Sequence, residues 1–388
     1  MRRITRALYK IFVVVFFFYS PLLILDFLNI KIKLLQKIPL QYHRYFRFSS
    51  HVLIKKSYTN IPPKNYIILA GDSYAYGEGD WRLYSNYHHN TGFSSGFVLH
   101  QITKQDVLEF GKPGASSLKA FTFTQSSWKA FKLLSFIKTQ PKVIFIFFYE
   151  GNDLYDNLNH LQAKGLSPNN PDTYVQLLGN TTPEMFNELL RVGFCFTKAF
   201  NSLLNAVFKK KHTTQLDDFN RFNFNRNNPL IVQLKKNKKE IPNDLQAPAL
   251  FLSEEEIKLS LNILSETLKY WKKAFPHSKI VLVNIPSPAS VYNIISPTFT
   301  RTHYLNYSEK KIFKTSFIHE RSQYIASQLE KLTGQQNITF LDLRSAFKQA
   351  AQENIIHGPT DWFHFNKLGY QILGGNLAKF VLNNNNKL

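Results

Sequence analysis

The chain has 388 residues, 44% of them hydrophobic and 19% charged, enough to fold around a core as one large domain with insertions or as two domains. Forty-eight Lys and Arg against 26 Asp and Glu give a net charge of +22, so an anionic partner is expected: a membrane surface, an acidic polymer or, last, nucleic acid, for which no reading motif is visible. The one cysteine, Cys195, excludes an intrachain disulfide and a cysteine-bound metal; its setting, Val192-Gly193-Phe194-Cys195-Phe196, reads as core.

Arg2, Arg3, Arg6 and Lys10 precede an uncharged run from Ile11 to Leu25, and apolar character continues past Asp26 to Ile30. A span needs roughly 20 residues, so Ile11–Ile30 suffices as a transmembrane helix if Asp26 lies at the interface. Residues 25–32 offer no small-residue cleavage site, so the segment reads as an uncleaved anchor. The basic N-terminus then stays cytoplasmic and the rest of the chain is extracytoplasmic, periplasmic or at the cell surface. Residues 1–30 are thus a cytoplasmic tip and anchor, and residues 31–63, basic and aromatic, a stalk.

Strands and helices alternate beyond the stalk. Tyr66–Ala70 reads as a short buried strand ending at Gly71, and Asp106–Phe110 as a second ending at Gly111. Ser116 and Ser117 can cap a helix running to Ile137. Lys142–Tyr149 is the strongest strand, and its unbroken apolar run suits a parallel sheet buried on both faces. Ser253, before three glutamates, starts a helix to Phe275. A strand at Lys279–Ile285, a helix near Ser308–Leu332, a strand at Ile338–Leu343 and a helix at Leu368–Leu382 follow. Such alternation predicts a three-layer α/β/α domain with a parallel sheet, in two halves (64–157 and 251–382). Residues 158–250, rich in Asn, Lys and Phe, with basic clusters at Lys209–Lys211 and Lys235-Lys236, are an insertion: a lid or substrate subdomain, or a surface excursion. Residues 383–388 are a tail.

In an open parallel sheet, ligands bind beyond the carboxyl ends of the strands. Those ends carry Gly71-Asp72-Ser73, then Gly111-Lys112-Pro113-Gly114, then Glu150-Gly151-Asn152-Asp153; a last loop, before the terminal helix, carries Asp361-Trp362-Phe363-His364. A serine hydroxyl attacks only when a base takes its proton. His364 is the candidate base for Ser73, and Asp361, three residues before it, can orient the imidazole. Backbone N–H groups of Ser73 and Gly114 and the side-chain amide of Asn152 can stabilise the oxyanion. Asp72 and Asp153 read as loop braces. His88, His89 and His160 show no metal-ligand spacing, and no metal is expected.

These blocks resemble those of the SGNH, or GDSL, hydrolase family. Gly71-Asp72-Ser73 matches its first block and nucleophile, Gly114 its second-block glycine, Asn152 its third-block asparagine and Asp361-x-x-His364 its last block. The match covers roughly residues 65–155 and 279–381. Glu109 stands where the family often has Asn, which leaves Gly111 and Gly114 both open as the second-block glycine, and Gly151 directly precedes Asn152. The resemblance implies a flavodoxin-like sheet and ester chemistry through an acyl-serine, without a metal or organic cofactor. With water as acceptor it implies an esterase, lysophospholipase or carbohydrate deacetylase. With a sugar hydroxyl as acceptor it implies an O-acyltransferase of an envelope polysaccharide, served by a multi-span acyl-donor partner. The rival from another class is a membrane-anchored binding protein on the same fold.

Overall fold

The computed structural model describes residues 51–59, 63–79, 94–179, 229–243, 245, 247–301 and 311–384, with scattered positions at 13–28 and 185–200. Cys195, His88, His89 and Lys209–Lys211 lie outside the described residues.

Five strands form one parallel sheet: β1 (Ile67–Gly71), β2 (Val107–Gly111), β3 (Val143–Tyr149), β6 (Lys279–Ile285) and β9 (Thr339–Asp342), in the order β2-β1-β3-β6-β9. The flanks carry two antiparallel hairpins, β4 (Leu230–Gln233) with β5 (Lys238–Ile241) and β7 (Thr298–Arg301) with β8 (Lys311–Lys314). Every residue of β1, β2 and β3 is buried, as expected of strands covered on both faces. The chain runs outward from β1 to β2 and then crosses back to β3, so the strand order reverses beside β1, where doubly wound sheets open a ligand crevice.

Helices cover the sheet in two groups. The terminal helix α10 (Lys367–Asn383) packs with α2 (Ser95–Thr103) and α9 (Arg344–Glu353), and its Phe380 lies edge-on to Phe145 of β3. The second group holds α3 (Ser117–Ser135), α4 (Asp153–Gln162), α6 (Glu254–Ala274) and α8 (Thr315–Gln335), with Phe121 edge-on to Trp271. Ser116 caps α3, and Ser253 with Glu256 forms a capping box on α6, so the polar side chains ahead of each apolar run do fix the helix starts.

Three expectations are corrected. Residues 51–59 are not a free stalk: Val52, Leu53 and Tyr58 join the core, and Ser57 exchanges hydrogen bonds with Val107, its Oγ donating to the Val107 carbonyl (2.9 Å) and its carbonyl accepting from Val107 N (2.8 Å). Lys55 is buried against Glu109 (3.2 Å), so the sheet domain begins before residue 64 and Glu109 is the partner that permits a buried lysine there. The helix expected from Ser308 begins at Thr315, because Lys311–Lys314 pairs as a strand. The insertion from 158 to 250 is no separate body throughout: α4 runs into it, Tyr174 and Leu178 of α5 (Pro171–Gly179) are buried in the common core, and β4 is stitched by Gln233 N to Asn293 O (2.9 Å).

Among the described residues no helix is long and apolar enough to cross a membrane; the span expected at Ile11–Ile30 lies partly outside them. Within it Asp26 is buried, and its carboxylate accepts hydrogen bonds from Thr197 N (3.2 Å) and Oγ1 (2.8 Å), which offsets the cost of removing a charge from water.

Candidate active site

Ser73 opens a one-turn helix, α1 (Ser73–Tyr76), directly at the carboxyl end of β1. Asp72 caps that turn, its Oδ1 accepting from Tyr74 N (2.9 Å), so the aspartate braces the loop that presents the serine. Gly111, at the end of β2, lies under this turn: a Cβ there would meet Tyr76 N at 1.9 Å. Gly111 is therefore needed for the close approach of α1 to the sheet. Gly114 is exposed in the following turn with φ +65°, and a Cβ there would meet open space among the described residues.

The structure brings residues 291 positions apart into one chain of hydrogen bonds. Ser73 Oγ lies 2.8 Å from His364 Nε2, and His364 Nδ1 lies 2.6 Å from Asp361 Oδ2. The other Asp361 oxygen accepts from the backbone N–H of Phe363 (3.0 Å) and His364 (3.2 Å). With Asp361 ionised, Nδ1 carries a proton and, in neutral imidazole, Nε2 presents its lone pair to the serine hydroxyl. Tyr74 holds this loop against α1: its hydroxyl donates to the Phe363 carbonyl and its ring lies 5.5 Å from that of His364. From behind, the Tyr292 hydroxyl accepts from the backbone N–H of Ile356 (3.0 Å) and His357 (3.1 Å), and it donates to His357 Nδ1 (3.0 Å).

The charges of the site follow from this packing. Burial alone would lower the basicity of His364, but the Asp361 carboxylate, with Glu78 and Asp72, outweighs it and raises the pKa to about 9. Burial would raise Asp361; the imidazolium and the hydrogen bonds from His364 and Phe363 outweigh that and hold it below the ordinary carboxylate range. Burial pushes Asp72 up to about 6, against the opposing effect of Tyr74 N–H and His364.

Asn152 follows β3, on the opposite side of β1 from the turn that carries Gly114, so the two expected oxyanion donors flank Ser73 in the strand order. Asn152 N–H turns back to the Tyr149 carbonyl (3.4 Å), and Asn152 precedes α4 without capping it through its side chain. Asp153 accepts from Tyr149 N (3.0 Å) and so braces the loop, as expected. Asp156, on the same helix, is buried; burial and the nearby Asp72 push it up to about 7, while Lys119 opposes. His160 is half-buried, and burial lowers it to about 4. Among the described residues no group of three or more His, Cys, Asp or Glu is arranged to hold a metal ion.

Asp156 supplies a stability prediction. A carboxyl whose folded pKa lies above its unfolded value stabilises the fold fully only below about pH 3.8 and loses that contribution as pH rises through about 7. Asp156→Asn is therefore expected to be more stable than the parent by about 2–4 kcal/mol at pH 8, with the difference closing by pH 4. Paired thermal melts across that range check it; equal melting shifts at every pH would show that the carboxylate is already relieved by a neighbour.

Glu78, Tyr74, Tyr292 and His357 were not singled out from sequence. Glu78 lies five residues after Ser73, and this position is the only local signal it carries.

No protein-family model matches the chain, and no curated protein matches it. Solved structures similar to it include a member of the lipolytic protein G-D-S-L family from Veillonella parvula (10% identity, 81% of this chain and 96% of that one, TM-score 0.36). Another is the aryl esterase of M. smegmatis (11%, 82% and 98%, TM-score 0.35). A third is a phospholipase A1 from Streptomyces albidoflavus (11%, 81% and 97%, TM-score 0.34). Likeness at this level assigns no activity to this chain.

Proposed function

We propose that this chain is an SGNH-type serine hydrolase that cleaves carboxylic, lipid or carbohydrate O-acyl esters through an acyl-Ser73 intermediate. The observation that carries the reading is the continuous hydrogen-bond chain from Ser73 Oγ through His364 to Asp361. His364 Nε2 takes the hydroxyl proton as Ser73 attacks the ester carbonyl. Asp361 holds the Nδ1 proton and stabilises the imidazolium. Ser73 N–H, Gly114 N–H and the Asn152 amide receive the oxyanion. The imidazolium then gives its proton to the leaving alcohol, and His364 next deprotonates the acceptor that releases the acyl group. Water as acceptor makes an esterase and a sugar hydroxyl a transferase; this acid–base cycle serves either. No step calls for a metal or organic cofactor.

The reading extends to an anchored enzyme acting outside the cytoplasm. It is supported by the basic residues 2–10 ahead of an apolar run, and by Phe16, Phe17, Leu23 and Ile24, which present apolar surface to solvent. The net charge of +22 suits an anionic envelope polymer or phospholipid surface.

Intact-mass labelling of the detergent-solubilised protein with a fluorophosphonate tests the core of the proposal. One adduct on Ser73 is expected, absent from Ser73→Ala and strongly slowed in His364→Ala; no adduct on the folded parent protein would favour the binding-protein reading. Asn152→Ala is expected to lower turnover about a hundredfold or more, as for loss of one oxyanion donor. A change below threefold would remove Asn152 from the site.

A further inference from the structure

His364 has carboxylates on both sides of its ring. Asp361 meets Nδ1 at 2.6 Å, while Glu78 Oε2 lies 4.0 Å from Nε2, the nitrogen that faces Ser73. The resting catalytic chain described above needs only the first. The second is a fixed part of the structure. Glu78 N–H donates to the Ser73 carbonyl (3.0 Å), and the Tyr370 hydroxyl donates to the Glu78 carbonyl. The next residue, Gly79, has φ +146° and presses so closely on the His364 loop that a Cβ would meet the Phe365 carbonyl oxygen at 2.2 Å. Backbone contacts on both sides thus fix the Glu78 backbone beside the His364 loop, and its side chain is 27% exposed.

We propose that Glu78 is a positioning residue whose carboxylate stabilises the charged form of the His364 imidazole beside Ser73 and so sets the pH at which Ser73 becomes a nucleophile. This rests on the assignment of His364 as the base. In the imidazolium, Nε2 carries a proton and has no lone pair with which to take the proton of the serine hydroxyl 2.8 Å away, and the Glu78 carboxylate at 4.0 Å favours that charged form. The other groups around the ring act differently. Asp361 stabilises the imidazolium in every step, Asp72 lies behind Ser73, His357 is buried and kept neutral, and the Tyr74 ring packs on the imidazole. Glu78 is the carboxylate among them that is partly open to solvent, its side chain 27% exposed against 10% for Asp361.

The test uses the full chain, with Glu78→Gln and Glu78→Asp, and follows the second-order rate of fluorophosphonate labelling of Ser73 from pH 6 to 10. The acid limb of Glu78→Gln is expected about one pH unit below that of the parent, the effect of removing one opposite charge at this range, so that labelling at pH 7 is about tenfold faster. Glu78→Asp should restore part of the shift. In the parent, 0.5 M salt should move the limb the same way, because a partly exposed pair is screened more than the buried Asp361 pair; this arm does not depend on any variant folding. A limb unmoved by both the substitution and salt overturns the role of Glu78. Failure of the parent to label on Ser73 with dependence on His364 would instead overturn the hydrolase reading beneath it.

Discussion

Asp361→Asn is expected to lower turnover about ten-thousand-fold with the fold intact, as for loss of the orienting carboxylate in a serine triad. The reason lies in how the two carboxylate oxygens are used. Oδ1 accepts from Phe363 N and His364 N, whereas Oδ2 accepts from His364 Nδ1. An asparagine that keeps the two backbone bonds must turn its NH2 group toward Nδ1. That group only donates, so the imidazole must present its Nδ1 lone pair and carry its proton on Nε2, facing Ser73. A donor then stands where the base belongs. The alternative orientation of the amide forfeits both backbone bonds and loosens the loop. Steady-state turnover of an activated ester, beside a thermal melt of the same preparation, separates these outcomes: unchanged melting with a collapse in rate is expected, and a loss below tenfold would remove Asp361 from the triad.

That experiment probes residues visible in the sequence because they are local. Asp361 and His364 are three residues apart, and Gly71-Asp72-Ser73 follows an unbroken apolar run, so each half of the site announces itself within a few residues. The sheet was legible for a similar reason: strands buried on both faces read as continuous apolar stretches, and Lys279–Ile285 has the expected bounds. Helix α4 was not legible. Its buried face carries Asp153, Asp156 and Asn157, polar residues in core positions that do not read as an apolar stripe. Asn157 is satisfied only by tertiary partners, the hydroxyls of Ser117 (2.8 Å) and Ser260 (3.2 Å). Residues 51–59 read as a stalk because Lys55 and Lys56 look solvated; burial of Lys55 depends on Glu109, more than fifty residues away. Glu78 was hidden in the same way, since its meeting with His364 is made by the packing of α1 on a loop nearly three hundred residues later.

The rate of ester cleavage is expected to climb about tenfold per pH unit from pH 7 and to level off above about pH 9. His364 must be neutral to take the Ser73 proton, and its pKa is raised to about 9 by Asp361, Glu78 and Asp72 against the effect of burial. At pH 7 only about one molecule in a hundred then has the base free, from the two-unit gap. Linkage runs the other way for stability. His364, raised above its unfolded value, contributes fully below about pH 6.5 and loses that contribution as pH rises through about 9. Asp72 and Asp156, also raised, lose theirs as pH rises through about 6 and about 7. Asp361, lowered, loses its contribution only in acid. The melting temperature should therefore fall between pH 5 and pH 9 while the initial rate rises, because Asp72 and Asp156 are costly to ionise where they are buried and His364 gives up its stabilised charge over the same range. Initial rates and melts measured on the same samples at each pH check both slopes. A rate limb at pH 6–7 would show that the imidazole is not held charged in the resting protein, and the electrostatic account of the site would fail with it.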